Sequence, residues 1–208
     1  MRKAMLFAPM LMLLLTACGG GPEKDPVEEL QRQYAVVGAA TMEADVTCSY
    51  EDEVREYTLL CAYTPQSSTV TVLSPASLSG ISATVEGEEL TLSYEDISLD
   101  AGSYTADAVS PVAALPGLMK AAAEGYPTEQ SRETVGERSC LRLACYLGDE
   151  ADILYTTWFD EETLLPLQSE ISVEGKTVFA VAWSRFEVTE YVAEPAEELH
   201  LSAELTKE

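Results

Sequence analysis

Residues 158–167 are the segment from which the sheet can be deduced, and they read Trp158-Phe159-Asp160-Glu161-Glu162-Thr163-Leu164-Leu165-Pro166-Leu167. The apolar segment 153–159 enters this stretch and ends at the acidic residues that begin with Asp160. After Pro166, apolar and polar residues alternate up to Val173. A period of two is typical of a strand with one buried face. The stretch therefore predicts an antiparallel hairpin closed by an acidic turn.

Segments on both sides of this hairpin also predict strands. Residues 177–186 are apolar on both faces, which is typical of a strand that is covered on both sides. Further strands are expected around Val70 and again from about Val135 onwards. Two more hairpins are expected to join 44–50 with 57–63, and 81–85 with 90–94 across Glu86-Gly87. Because strand follows strand with little helix between, we expect a meandering antiparallel sheet.

Two segments have helical signals. Asp25 can cap a helix over 26–39 that begins with a proline and carries a stripe of apolar residues. Residues 110–124 begin at a capping Ser110, stop at Gly125 and are rich in alanine and leucine. A helix this apolar should lie against the sheet, and we name it the plug helix.

The order helix, meander, plug helix, meander, together with segment 158–167 and the strand that ends at Phe186, resembles the LolA/LppX-like lipoprotein carrier superfamily. The resemblance covers about residues 27–188. It implies an α+β, mainly β fold: an open, curved antiparallel half-barrel wrapped around a plug helix, with an N-terminal helix and an apolar concave face. The domain would span 26–190 and be followed by an acidic tail at 191–208.

The N-terminus has the layout of a secretory signal, with Arg2 and Lys3 before the apolar run 5–15. The run is too short for a bilayer about 30 Å thick. Leu-Thr-Ala followed by Cys18 resembles the lipobox of bacterial lipoproteins. This implies a signal peptide at 1–17, cleavage between Ala17 and Cys18, a lipid on Cys18, and a linker at 18–25. The mature protein would be anchored to the outer face of the cytoplasmic membrane; the alternative is an ordinary secretory signal.

Acidic residues dominate the mature chain. All 36 acidic residues follow Cys18, whereas two of the 12 basic residues lie in the signal, so the net charge is 10 − 36 = −26. Such a charge argues against nucleic acid and against docking on an anionic membrane surface. It favours solubility, a basic partner or loose binding of divalent cations.

The four cysteines after Cys18 permit two disulfides outside the cytoplasm. Cys48 and Cys61 fall on the apolar faces of the first predicted hairpin, which makes a cross-strand bond between them a candidate. Cys140 and Cys145 are an odd number of residues apart and should point to opposite faces of one strand.

The chain lacks the parts for most enzyme and metal sites. Its one histidine, His200, follows Pro195 in the tail, and no Gly-x-Ser-x-Gly, HExxH or CxxC motif is present. A carboxylate pair for glycoside hydrolysis remains an alternative, because acidic residues are abundant. We expect no enzyme activity, cofactor or metal.

Inward-facing apolar and aromatic residues are the remaining candidates for a functional site. They form a hydrophobic cavity or, alternatively, fill the core: Tyr57, Leu59, Tyr63, Leu92, Tyr94, Trp158, Phe179 and Trp183. We expect a tethered binder of a hydrophobic ligand (a lipid or a lipoprotein acyl chain) or of an envelope protein. The resemblance extends to GerS-type germination lipoproteins, which implies an alternative: regulation of a cell-wall-modifying enzyme by protein contact.

The lipobox resemblance is tested by Cys18→Ser. Without the thiol no lipid can be attached, so the variant is expected to move from the detergent phase to the aqueous phase in detergent phase separation. Cys48→Ser removes a thiol outside the lipobox and should leave the partitioning unchanged. Retention of the Cys18→Ser protein in the detergent phase would contradict the anchor.

Overall fold

The computed structural model describes residues 25–50, 53–103, 110–148 and 152–192. The predicted signal peptide, Ala17, Cys18, nearly all of the linker and residues 193–208 lie outside the described residues. Within them are two helices, α1 (Pro26–Ala35) and α2 (Pro111–Glu124). The strands are β1 (Val37–Tyr50), β2 (Glu53–Tyr63), β3 (Ser67–Ser74), β4 (Ser82–Glu86), β5 (Glu89–Tyr94), β6 (Ile97–Ser103), β7 (Tyr126–Val135), β8 (Arg138–Tyr146), β9 (Ile153–Asp160), β10 (Pro166–Val173) and β11 (Lys176–Tyr191).

All eleven strands belong to one antiparallel sheet in the order β6-β5-β4-β3-β2-β1-β11-β10-β9-β8-β7. Each strand pairs with its neighbour in sequence, except where α2 separates β6 from β7 and where β1 pairs with β11. The sheet is open and curved, and its apolar side chains form one core with the two helices. The predicted mainly β half-barrel with an N-terminal helix is therefore confirmed.

The N-terminal helix is shorter than predicted. Asp25 caps it as expected, since its Oδ1 accepts the N–H of Val27 at 2.9 Å. The helix ends at Ala35 rather than at residue 39, and β1 begins at Val37. Residues from Val37 onwards pair with β11, and the N–H of Val192 donates to the carbonyl of Val36. Sheet pairing therefore overrides the helical spacing, and Tyr191, the first residue of the predicted tail, belongs to β11.

The plug helix is confirmed as α2. Ser110 caps it, with Oγ accepting the N–H of Ala113 at 3.3 Å, and its buried residues face the sheet and α1. At its end, Gln31 Nε2 donates to the carbonyl of Gly125 at 2.7 Å. A Cβ on Gly125 would lie 2.7 Å from Cys145 Cβ, so only glycine permits this close approach to β8.

The acidic turn is closed by one carboxylate. Asp160 Oδ1 accepts the N–H groups of Glu162 and Thr163 at 3.0 Å each and the Thr163 hydroxyl at 3.2 Å, while Arg138 lies 3.4 Å from Oδ2. These bonds, chiefly that from the Thr163 N–H, hold the pKa of Asp160 below its ordinary value. The turn in segment 158–167 is therefore a hydrogen-bonded Asx turn.

The sequence pattern did not predict strands β6 and β7. They are the two edges of the sheet: β7 has no period of two, and β6 alternates apolar and polar residues but is exposed throughout. The strands resume at Tyr126 rather than near Val135, and β6 follows β5 directly across Glu95 and Asp96. The hairpin predicted across Glu86-Gly87 turns one residue later, because Glu86 pairs with Glu89.

Strand β11 is not covered on both faces. Phe179 and Val181 are buried in the core, but Ala180 and Ala182 are exposed on the convex face. A register shift between β1 and β11 at Glu43 brings Phe186 round to the core side. The bulge therefore explains the inward position of Phe186, whereas Ala180 and Ala182 are small apolar residues on an exposed face.

The proposed Cys48–Cys61 bond is wrong. Cys48 lies opposite Arg55, and Cys61 lies opposite Met42, so six residues, or about 20 Å of strand, separate the thiols. All four described cysteines are free thiols. Cys145 faces the core, and Cys140 lies outside it, as their spacing predicts.

Asp160→Asn keeps the shape of the turn but removes the charge. We expect the free energy of unfolding to fall by about 1 kcal/mol at pH 7, because hydrogen bonds to a charged acceptor are stronger. Since the pKa of Asp160 is lowered by folding, its stabilisation is present above the unfolded-state pKa and is lost as pH falls through the folded-state value. Denaturant unfolding should show the difference between the two proteins shrinking as pH falls below the unfolded-state pKa of aspartate, about 3.9.

Glu162→Gln is the matched control, since it removes a charge from an exposed side chain of the same turn. It should change stability by less than about 0.5 kcal/mol. An equal loss in both variants would show that the turn depends on its total charge rather than on Asp160.

Candidate functional site

The concave face changes from filled to open across the sheet. One row of paired residues runs from β1 to β6: Met42, Cys61, Val70, Ala83, Leu92 and Leu99. Met42 is fully buried, whereas Leu92 is 36% and Leu99 60% exposed. The neighbouring pair, Tyr94 and Ile97, is also exposed. We name Leu92, Tyr94, Ile97 and Leu99 the open concave surface.

A cavity of about 750 Å³ lies at one end of the half-barrel. Its walls come from the end of α1, from α2, and from the turns that join β2 to β3 and β4 to β5. Lining residues from each wall include Tyr34, Tyr63, Ser68, Val85, Lys120 and Ala123. The volume falls within the range of about 300–1,000 Å³ that small-molecule sites occupy. The cavity is thus large enough for an apolar ligand.

The cavity lining carries both signs of charge. Lys120 Nζ lies 3.4 Å from Glu124 Oε1, one helical turn away, and both side chains are well exposed. Glu88 lines the opposite side, in the β4–β5 turn. Burial and, to a smaller extent, the nearby Glu124 raise the pKa of Tyr63. The Tyr63 hydroxyl is therefore neutral at physiological pH and can donate or accept a hydrogen bond.

Of the eight residues predicted to form a cavity, Tyr63 is the one that lines it. Leu59 and Phe179 are buried in the core under the helices. Tyr57 and Trp183 are half-buried at the edge of that core. Leu92 and Tyr94 lie on the open concave surface, beyond the filled part of the sheet.

Trp158 does not face inward. It lies opposite Arg142 on the convex face, where its Nε1 donates to Glu133 Oε2 at 2.7 Å and the Arg142 guanidinium sits 5.5 Å from the indole centre. Phe159 takes the inward position and packs edge-on against Tyr34. Two adjacent aromatics cannot be assigned to faces by hydrophobicity alone, but polar Arg142 between two leucines was a usable signal.

Tyr34 is the main inward residue that the cavity prediction omitted. Its ring contacts Phe159 and Phe186, and its hydroxyl donates to the carbonyl of Leu164 at 2.9 Å. It thereby links α1 to the segment 158–167 and forms part of the cavity wall. Its place in the apolar stripe of α1 was the signal.

Thiol chemistry has no support at the site. Burial raises the pKa of the Cys61 thiol to about 12 and that of Cys145 to about 11, so both stay protonated and weakly nucleophilic at neutral pH. Among the described residues, no three histidine, cysteine or acidic side chains are grouped closely enough to hold a metal ion. In the same part of the chain, neither helix has the length and apolar character needed to cross a membrane.

Comparisons with known proteins give structural likenesses only. No family model and no curated protein matches this chain. The chain is similar to a LolA superfamily protein from Nitrosomonas europaea, with 12% identity, a TM-score of 0.42 and coverage of 79% of this chain and 92% of that one. The chain is also similar to the lipoprotein LppX from Mycobacterium tuberculosis, with 10% identity, a TM-score of 0.40 and coverage of 78% of this chain and 96% of that one.

A third likeness is to the structure of the CwlD amidase from Clostridioides difficile in complex with the GerS lipoprotein, at 16% identity and a TM-score of 0.37, covering 81% of this chain and 96% of that one. The superfamily that the sequence resembles is thus represented among the similar structures. At such identities and TM-scores these likenesses carry no information on what this chain binds.

Glu124→Gln tests the electrostatics of the cavity. Removing the carboxylate should lower the pKa of Tyr63, because a nearby negative charge disfavours the phenolate. The shift is measured by NMR titration of the tyrosine ring carbon. Glu88→Gln, which removes a charge from the opposite wall, should move the pKa of Tyr63 less; an equal effect would contradict the assigned proximity of Glu124.

Proposed function

We propose that this chain is a non-enzymatic extracytoplasmic lipoprotein that binds a hydrophobic ligand on the concave side of its half-barrel. The observation that carries the proposal is the cavity of about 750 Å³, together with the exposed apolar residues of the open concave surface. Val85 lines the cavity and pairs with Leu90. Leu90 lies two residues before Leu92 on the same face of β5, so apolar side chains connect the cavity to the open concave surface.

The charges at the cavity disfavour a ligand with an anionic head group. Among the described lining residues Lys120 is the one cation, and it is already paired with Glu124. With Glu88 the lining carries one cation and two carboxylates, so an anionic head group would meet net repulsion. A lipid chain in the cavity with a neutral head group at its mouth fits these charges.

Tethering would supply the ligand from the membrane itself. The lipidation resemblance places the anchor at Cys18, and α1 begins at Pro26. Seven intervening residues span at most about 25 Å when extended. The half-barrel would therefore stay beside the outer face of the cytoplasmic membrane and act as a resident binder there.

A second candidate function is the binding of an envelope protein, as the resemblance to GerS-type lipoproteins implies. The open concave surface favours it, because Ile97 is 71% exposed and lies beside the acidic turn Glu95-Asp96. Contiguous exposed apolar side chains are typical of interaction sites. The two functions use neighbouring parts of one concave face and need not exclude each other.

Ligand binding is tested by native mass spectrometry of the gently purified domain that begins after Cys18. We expect an extra mass that organic extraction removes and that matches a lipid. Ala123→Trp places an indole at a cavity-lining position of α2 and should reduce the occupied fraction several-fold.

Ala180→Trp is the matched control, since Ala180 is exposed on the convex face. It should leave the occupied fraction unchanged. An empty wild-type domain, or equal losses in the two tryptophan variants, would contradict ligand binding in the cavity. An empty domain that still binds an envelope protein would favour the second candidate.

A further inference from the structure

Strand β6 forms one edge of the sheet, and among the described residues its outer side is unpaired. All seven of its residues are exposed, and in the described part of the chain no strand pairs with its outer side. Ile97 and Leu99 carry its apolar face, while Ser98 and Asp100 lie on the other face. A long exposed edge with apolar side chains is a template for an added strand.

The other edge, β7, is protected in the ways natural sheets use. It begins with a proline at its second position and carries charged residues along its length. Arg132 pairs with Glu161, and Glu133 is held by Trp158. The contrast makes β6 the edge that is open to a partner.

The register of β6 shows which main-chain groups are available. A two-residue turn makes Tyr94 and Ile97 a hydrogen-bonded pair, and bonded pairs then alternate with non-bonded ones along the hairpin. Leu92 and Leu99 are therefore bonded to each other. The N–H and C=O groups of Ser98 and Asp100 point away from β5, towards the free edge.

The charge around this edge has one sign. Between residues 67 and 103 the chain has six carboxylates and no lysine, arginine or histidine. The carboxylates are Glu86, Glu88, Glu89, Glu95, Asp96 and Asp100. A second copy of this chain would bring the same charges to the edge and be repelled, whereas a cationic segment would be attracted.

We propose that β6 docks an extended, basic segment of another envelope protein, which adds to the sheet as a twelfth strand. Its alternate side chains are apolar, against Ile97 and Leu99, and lysine or arginine, beside Asp100 and the acidic turns. This deepens the second candidate function. It does not depend on a ligand in the cavity, which native mass spectrometry tests separately.

The probe is a fluorescent seven-residue peptide that alternates valine and lysine, matched in length to β6. The full chain in phosphatidylcholine nanodiscs is titrated with it and followed by fluorescence anisotropy, with empty nanodiscs as background. We expect it to bind at least about tenfold more tightly than a valine–glutamate peptide, because the edge is acidic. Hydrogen exchange at Ser98 and Asp100 should slow on binding, because their N–H groups become bonded.

Ser98→Pro removes an outward N–H of β6 and should weaken binding of the valine–lysine peptide about tenfold. This corresponds to the loss of one main-chain hydrogen bond to the peptide and the weakening of the adjacent ones. It changes no charge, so general attraction to an acidic protein is unaffected. Thr134→Pro makes the same change at an outward position of β7 and should not affect binding.

Equal binding by Ser98→Pro and the wild type, with no slowing of exchange at Ser98 and Asp100, overturns strand addition and leaves only general electrostatic attraction. Preferential binding of the glutamate peptide overturns the assigned charge of the partner. A concentration-dependent dimer in analytical ultracentrifugation that Ser98→Pro abolishes would assign the edge to a second copy instead.

Discussion

The pairing of β1 with β11 is the contact on which the rest of the structure depends. It is the one ladder that joins the meander β1–β6 to the meander β7–β11, and its partners lie near opposite ends of the described chain, as in Ala40 with Val188. Closing such a loop costs entropy that only long, regular pairing and burial repay. These are accordingly the two longest strands, and Tyr34 packs on the Phe186 that the bulge turns inward.

The two helices do not cover the whole concave face of the sheet. Eleven strands present more apolar surface than two helices of 10 and 14 residues can cover. The helices bury the centre of the sheet and β8–β10, where Ile171 and Phe159 have almost no exposure. On the other side the cover ends near β4, where Ala83 is still buried, and Leu92 and Leu99 remain open. The open concave surface is thus a consequence of how far the plug helix reaches, rather than of a separate motif.

The sequence predicted the elements whose signals are local. Asp25 and Ser110 mark the helix starts, and Asp160 with Pro166 marks the central hairpin. It did not predict β6 and β7, because β7 has no alternation and the alternation of β6 is limited to Ile97, Leu99 and Ala101. The face of Trp158 and the distance between Cys48 and Cys61 depend on strand register, which is set by tertiary pairing. Most of the cavity lining, Tyr63 excepted, was missed for the same reason: its walls come from turns that are distant in sequence.

The acidic composition has a structural use at the open edge. An exposed strand with Ile97 and Leu99 is a hazard for self-association, and the usual protection is a lysine, a proline or a cover. Here the protection is the carboxylates of Glu95 and Asp96, in the turn before the strand, and of Asp100 within it. Repulsion of this kind acts only between like charges, so it keeps copies of the chain apart without closing the edge. A proline would remove a main-chain donor for every partner, whereas carboxylates repel acidic segments and attract cationic ones.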